Sequence, residues 1–151
     1  MEAAFGGPAE RDLVEGLRAE GSLGLSLVAE HPAEGLLGMV AFPPLVLEGE
    51  AGVAPKAVAL APLAVRPEAR RRGLGSRLVR EGLAACRADG VALAIVLGEP
   101  AYYERFGFSL AAARFLASPY AGPYFMALAL RSEGEGGSWR VIHPAPFAAL
   151  D

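Results

Sequence analysis

Apolar and polar positions along this 151-residue chain fall into two rhythms, one helical and one alternating or continuous as in strands. Leu13, Val14 and Leu17 sit at helical spacing within residues 8–20, and Gly21 follows as a stop, so a helix is expected there. Residues 23–29, rich in Leu and Val, read as a strand; Pro32 and Gly35 punctuate a turn at 31–35, and residues 36–47 read as the partner strand. Pro43 and Pro44 take two N–H donors out of that partner, which predicts a bend or an edge position. After a loop at 48–55, the apolar run 57–65 has the pattern of a buried central strand, with an irregularity expected at Pro62. Residues 75–88 predict a helix with Leu74, Leu78, Val79, Leu83 and Cys86 inward and its arginines mostly outward, ended by Asp89-Gly90. Residues 91–97 predict a second buried strand. Strand, helix and strand in this order make a βαβ unit with parallel strands. A short helix at 100–105 stops at Gly107, and residues 108–116 carry no clear period. Residues 124–130 and 139–142 read as strands around a tight loop at 134–137, and are expected to pair as a hairpin. No repeat, linker or low-complexity block interrupts the chain, so residues 1–151 are read as one α/β domain (α+β in some schemes).

Composition narrows the class. The hydrophobic fraction of 53% supports a sizeable core and excludes a disordered chain. Charged residues, Pro or Gly interrupt every apolar run before it could span a bilayer, and the start Met-Glu-Ala-Ala-Phe-Gly-Gly-Pro lacks the features of a signal peptide. A single cysteine, Cys86, leaves no partner for an internal disulfide or a multi-Cys zinc site, so no metal is expected and a cytoplasmic protein is the simplest reading. The net charge of −3 disfavours a nucleic-acid or anionic-membrane partner. Yet seven arginines lie between Arg66 and Arg87, which concentrates positive charge on one helix and suggests a local polyanion site.

That site has a candidate. In Arg70-Arg71-Arg72-Gly73-Leu74-Gly75-Ser76, glycines allow close approach of the backbone, and the first N–H groups of a new helix face an anion. The guanidinium groups add donors that suit phosphate oxygens. The same residues also suit an ordinary basic helix start. A P-loop would need Lys-Ser/Thr after the second Gly, and a dinucleotide fingerprint would need Gly where Leu78 stands.

The segment resembles the acyl-CoA-binding motif of the GNAT superfamily of N-acetyltransferases, Arg/Gln-x-x-Gly-x-Gly/Ala after an apolar strand. A second match follows the next strand: in residues 96–108, Tyr103-Glu104-Arg105-Phe106-Gly107-Phe108 resembles the family's Tyr-Glu-x-x-Gly-Phe element. Its Leu-Gly-Glu-Pro-x-Tyr-Tyr form looks most like the YhbS-like subgroup. The resemblance covers residues 10–147. It implies a mixed, mostly antiparallel sheet with helices on both faces and a central parallel pair that splays after Val65 and after Leu97. It further implies that the backbone of Leu63, Ala64 and Val65 pairs with the pantetheine arm of acetyl-CoA, and that Arg70, Arg71, Arg72, Gly73, Leu74, Gly75 and Ser76 hold the pyrophosphate. No strand is expected before the 23–29 strand, which leaves an exposed edge that either a second subunit covers, as in a homodimer, or the protein tolerates.

The implied activity is transfer of an acetyl group from acetyl-CoA to a primary amine of a small molecule or peptide, by direct attack in a ternary complex. Tyr103 matches the family tyrosine that contacts the cofactor and protonates the departing thiolate; Tyr102 is its less favoured neighbour. Glu99 is a candidate base, although the position also suits a helix N-cap. His31 and His143 are further imidazole candidates, each more simply structural. Cys86 reads as a core residue, Arg114 as a surface residue, and Trp139, Tyr120, Tyr124 and Phe125 as packing groups. An alternative is a CoA-binding sensor or interaction module without turnover, to which the lack of an acidic residue in the 57–65 strand lends weight.

Overall fold

The computed structural model describes residues 18–20, 24–49, 53–61, 63–67 and 73–142. Its order is β1 (Arg18–Glu20), β2 (Gly24–His31), β3 (Gly35–Phe42), β4 (Pro44–Glu48), β5 (Ala57–Ala59), β6 (Leu63–Val65), α1 (Leu74–Ala88), β7 (Leu93–Leu97), α2 (Pro100–Tyr103), β8 (Leu116–Ala117), β9 (Phe125–Ala129) and β10 (Trp139–Ile142). The strands form a four-stranded sheet, β1-β2-β3-β6, and a six-stranded sheet, β8-β10-β4-β5-β7-β9. Among the described strands, only β5/β7 and β8/β10 pair in parallel.

One bent ladder links the two sheets. Pro43 interrupts β3 and β4, as the paired prolines predict, yet its carbonyl still accepts the N–H of Ala59. The run 57–65 divides in the same place. Its first part pairs with β4 on one side and β7 on the other, and Leu60 N–H closes the parallel ladder onto Ile95 O at 2.8 Å. Its second part, β6, pairs only with β3, while Val96 and Leu97 continue along β9. The parallel strands therefore part after Leu60 and Ile95, earlier than the expected points after Val65 and Leu97. Pro62, itself outside the described residues, has no N–H with which to continue a ladder.

Two clusters fill the core. The face carrying Val58, Ala94, Val96 and Met126 packs under α1, which buries Leu74, Leu78, Val79, Leu83 and Cys86 at the predicted positions. The other face, with Leu45, Leu47, Ala59 and Ile95, lies beneath Ala113 of a 3₁₀ turn, Leu116 and Trp139. Lys56, just before β5, donates to the carbonyl of Asp89, and Arg131 donates to that of Arg87, so two cations hold the C-terminal end of α1.

Three expectations are corrected. Arg18–Glu20, read as the end of a helix, forms a strand antiparallel to β2; residues 8–17 of that helix lie outside the described residues. The edge of β2 offers backbone partners that outweigh the helical propensity of Arg18, Ala19 and Glu20, which Gly21 cuts short. That edge is thus covered at its start by the chain itself. Lastly, β10 makes no hairpin with β9: it lies between β4 and β8. Leu130 N–H and Arg131 N–H both turn back to Ala92 O, and Gly134 passes directly against that carbonyl. The chain so crosses the end of β7, and Trp139 and Val141 then enter the second core cluster beside Leu47.

Candidate active site

Where the central strands part, a groove of about 720 Å³ opens. Its first wall is β6. Ala64 is exposed and Leu63 and Val65 are half-buried, in contrast to the fully buried β5. Among the described strands, only β3 pairs with β6. Its second wall is the turn Gly73, Gly75 and Ser76 at the start of α1. Gly73 occupies the N-cap with φ 73°, a left-handed conformation that favours glycine. Gly73 offers no side-chain cap and no acidic residue stands in the first turn, so neither neutralises the partial positive charge of the helix N-terminus. Leu74 turns its side chain into the core and is not among the residues that line the groove. Arg70, Arg71 and Arg72 lie outside the described residues.

The third wall comes from α2 and the 3₁₀ turn that continues it (Glu104–Phe106): Tyr102 and Arg105. A Cβ placed on Gly75 would lie 3.1 Å from the Tyr102 hydroxyl, so this tyrosine rests against the first turn of α1. The Arg105 guanidinium stacks over the Tyr102 ring, 4.6 Å from its centroid.

Tyr103 sits differently. Its ring lies against Gly98 at the end of β7, where a Cβ would collide with it, and meets Tyr102 and Phe108 edge-on at 5.0 and 6.0 Å. It packs partly buried against the α1-side core and is not among the groove-lining residues. Burial, with a smaller contribution from Tyr102, raises its pKa above the usual tyrosine value, so the phenol keeps its proton at neutral pH. Glu99 stands at the N-cap of α2, but its carboxylate makes no capping bond; its backbone carbonyl accepts Tyr102 N–H and Tyr103 N–H instead. Pro100 at the first helical position has removed one of the donors that a cap would satisfy.

The remaining candidates separate from the groove. His31 Nδ1 accepts the N–H groups of Ala33 and Glu34 and so closes the β2–β3 turn. Cys86 is fully buried, and burial, reinforced by Asp89 and opposed by Lys56, pushes its pKa up to about 12, which makes it a poor nucleophile. Arg114 donates to Ala111 O and stacks on Phe115. Trp139 and Phe125 belong to the core, with Tyr120 packed against it, while Tyr124 is exposed. His143 lies outside the described residues. Among the described residues no group of three His, Cys, Asp or Glu side chains could hold a metal, and no helix is long and apolar enough to cross a membrane. Sequence reasoning missed Arg105 as a groove residue. The signal was there: Tyr102 and Arg105 are three apart on a helical turn, which puts both on one side.

Comparison with known proteins agrees with this architecture. Residues 1–111 match the acetyltransferase (GNAT) domain. The uncharacterized N-acetyltransferase YhbS of Escherichia coli K12 is 41% identical over 122 residues, 81% of this chain and 71% of its own length. The crystal structure of the Escherichia coli GNAT family N-acetyltransferase YhbS in complex with CoA superposes with a TM-score of 0.75 at 37% identity, covering 97% of this chain and 82% of that one. A GNAT family acetyltransferase from Brucella melitensis, in complex with acetyl-CoA, gives 0.65 at 34% identity, over 97% and 86%. With its parted parallel strands, its glycine turn at the head of α1 and these relatives, the chain belongs to the GNAT acetyltransferase family.

Proposed function

We propose that this chain moves an acetyl group from acetyl-CoA to a primary amine by direct attack in a ternary complex. The observation that carries the reading is β6, a strand paired by β3 alone among the described strands, leading to the uncapped N-terminus of α1. Backbone groups of Leu63, Ala64 and Val65 are suited to pair with the amides of a pantetheine arm. The first N–H groups of α1, with Arg70, Arg71 and Arg72, are suited to its pyrophosphate.

The amine nitrogen attacks the thioester carbonyl carbon, an N–C bond forms, and the C–S bond breaks. A backbone N–H at the end of β6 polarises the carbonyl as charge develops on its oxygen. Tyr103, held protonated by burial, gives its proton to the departing thiolate. Glu99, exposed and without a capping contact, takes the amine proton directly or through one water. Cys86 has no part in this, so no covalent enzyme intermediate forms.

Titration calorimetry with acetyl-CoA, followed by a thiol-release assay with amino acids, polyamines, aminoglycosides and peptide N-termini, tests the reading. Binding together with CoA release for one amine class is the expected result. No binding at millimolar acetyl-CoA would overturn it. Binding with silence across all four classes would make the chain a CoA-binding module.

A further inference from the structure

The groove contains a cation that the glycine turn does not supply. Arg105 comes from the wall beyond β7, and it makes no ion pair with a carboxylate among the described residues. Its stack on Tyr102 fixes where the guanidinium sits. A cation held over an aromatic ring makes no hydrogen bond to it, so the N–H donors of Arg105 stay available to an acceptor in the groove. Tyr102 in turn rests against Gly75 in the first turn of α1, so the guanidinium is delivered beside the positive end of that helix. On the same turn, Arg80 of α1 stacks over Phe106 at 5.1 Å and ties the two walls together. Two positive sources facing one groove, with no carboxylate among its described lining residues, favour a dianionic or more highly charged guest.

We infer that Arg105, presented by the face of Tyr102, is a phosphate-binding residue of this groove and grips the nucleotide half of the acyl donor. The inference rests on the proposed acetyl-CoA site and adds to it a contact made by α2 and its continuation. The phosphate is either the pyrophosphate or the 3′-phosphate of CoA. Tyr102 is the positioning residue, acting through its ring and not through its hydroxyl.

Calorimetry on the full chain separates the possibilities. Arg105→Gln should weaken CoA binding by about tenfold or more, the order of one lost charge-assisted phosphate contact. It should leave the affinity for pantetheine, which has no phosphate, within twofold of the unsubstituted protein. Arg105→Lys should restore part of the loss. Tyr102→Phe keeps the ring and should keep CoA affinity, whereas Tyr102→Ala should weaken it in the direction of Arg105→Gln. Dephospho-CoA locates the contact: a penalty that persists assigns Arg105 to the pyrophosphate, and a penalty that vanishes assigns it to the 3′-phosphate. Equal weakening of CoA and pantetheine by Arg105→Gln would show a structural role and overturn the inference, as would unchanged CoA affinity. If the unsubstituted protein bound CoA no more tightly than pantetheine, no phosphate would be gripped and the inference would be overturned, whereas binding of neither CoA nor pantetheine would overturn the acetyl-CoA reading itself.

Discussion

The two parts of the strand 57–65 share a composition and have opposite uses. Ala57–Ala59 is buried at every position and paired on both sides, and it functions as core. Leu63–Val65 is as apolar, yet Ala64 is exposed and the ladder takes only one side. The difference arises at residues 60–62, where the parallel ladder to β7 ends at Ile95. The proposed donor, extended and rich in amides, needs a strand with a side to spare, and the break in pairing leaves one on β6 among the described strands. Apolar sequence alone therefore does not mark a core; what counts is whether the backbone beside it is already satisfied.

Substitutions that introduce the same charge on either side of the break test this contrast most severely. Ala59→Asp places an uncompensated carboxylate in the buried part and should cost about 3–5 kcal/mol, a large share of a small domain's stability. Ala64→Asp should stay within about 0.5 kcal/mol, because the position is exposed, while acetyl-CoA affinity falls. Urea unfolding and calorimetry on both proteins would check the pair. Equal stability losses would remove the distinction.

Next in size is Tyr103, the proposed proton donor, packed against Gly98 at the end of β7. Tyr103→Phe should lower kcat by about 100-fold, the lower end of general acid catalysis, with little change in acetyl-CoA binding. Tyr102→Phe should lower it much less. The pH dependence has a definite sign. Tyr103 donates only when protonated, and its pKa is raised, so the rate should fall as pH rises through a value above 10. Tyr103→Phe should abolish that alkaline limb in a pH–kcat profile; a limb that survives would assign it elsewhere. Glu99→Gln should reduce kcat by about tenfold at neutral pH, and excess amine at higher pH should recover part of the loss, because more of the amine is then already deprotonated.

The smallest expected effect lies at the start of the buried part. Lys56 bridges to Asp89 at 3.1 Å, but both side chains are more than half exposed. Lys56→Ala should cost under about 1 kcal/mol and leave acetyl-CoA affinity unchanged. A larger loss in urea unfolding would mean that the clamp on the C-terminal end of α1 bears on the groove at the other end of that helix.

The elements with strong periods were legible from the chain. The apolar positions of α1, the buried run Leu93–Val96 of β7 and the break at Pro43 each follow from local composition, and all three appear in place, while Leu97 at the end of β7 is exposed. Pairing was less legible, because strand partners are chosen by long-range burial. Trp139 and Val141 alternate as a hairpin strand would, but the bonds from Leu130 and Arg131 to Ala92 send the chain across the sheet. Arg18–Glu20 shows the same override at the edge of β2. The glycine turn could be read because its glycines and arginines are contiguous. Spacing puts Arg105 on the same side as Tyr102, but only the fold, which brings α2 and the turn after it against Gly75, turns that side to the groove.

Hydrogen exchange with and without acetyl-CoA examines the central contrast at the level of single amides. Acetyl-CoA should slow exchange at Leu63–Val65 and at Gly73–Ser76. Ala57–Ala59, already bonded on both sides, should change little. Saturating acetyl-CoA that left the Leu63–Val65 amides unchanged would contradict the assignment of β6 as the donor-binding strand.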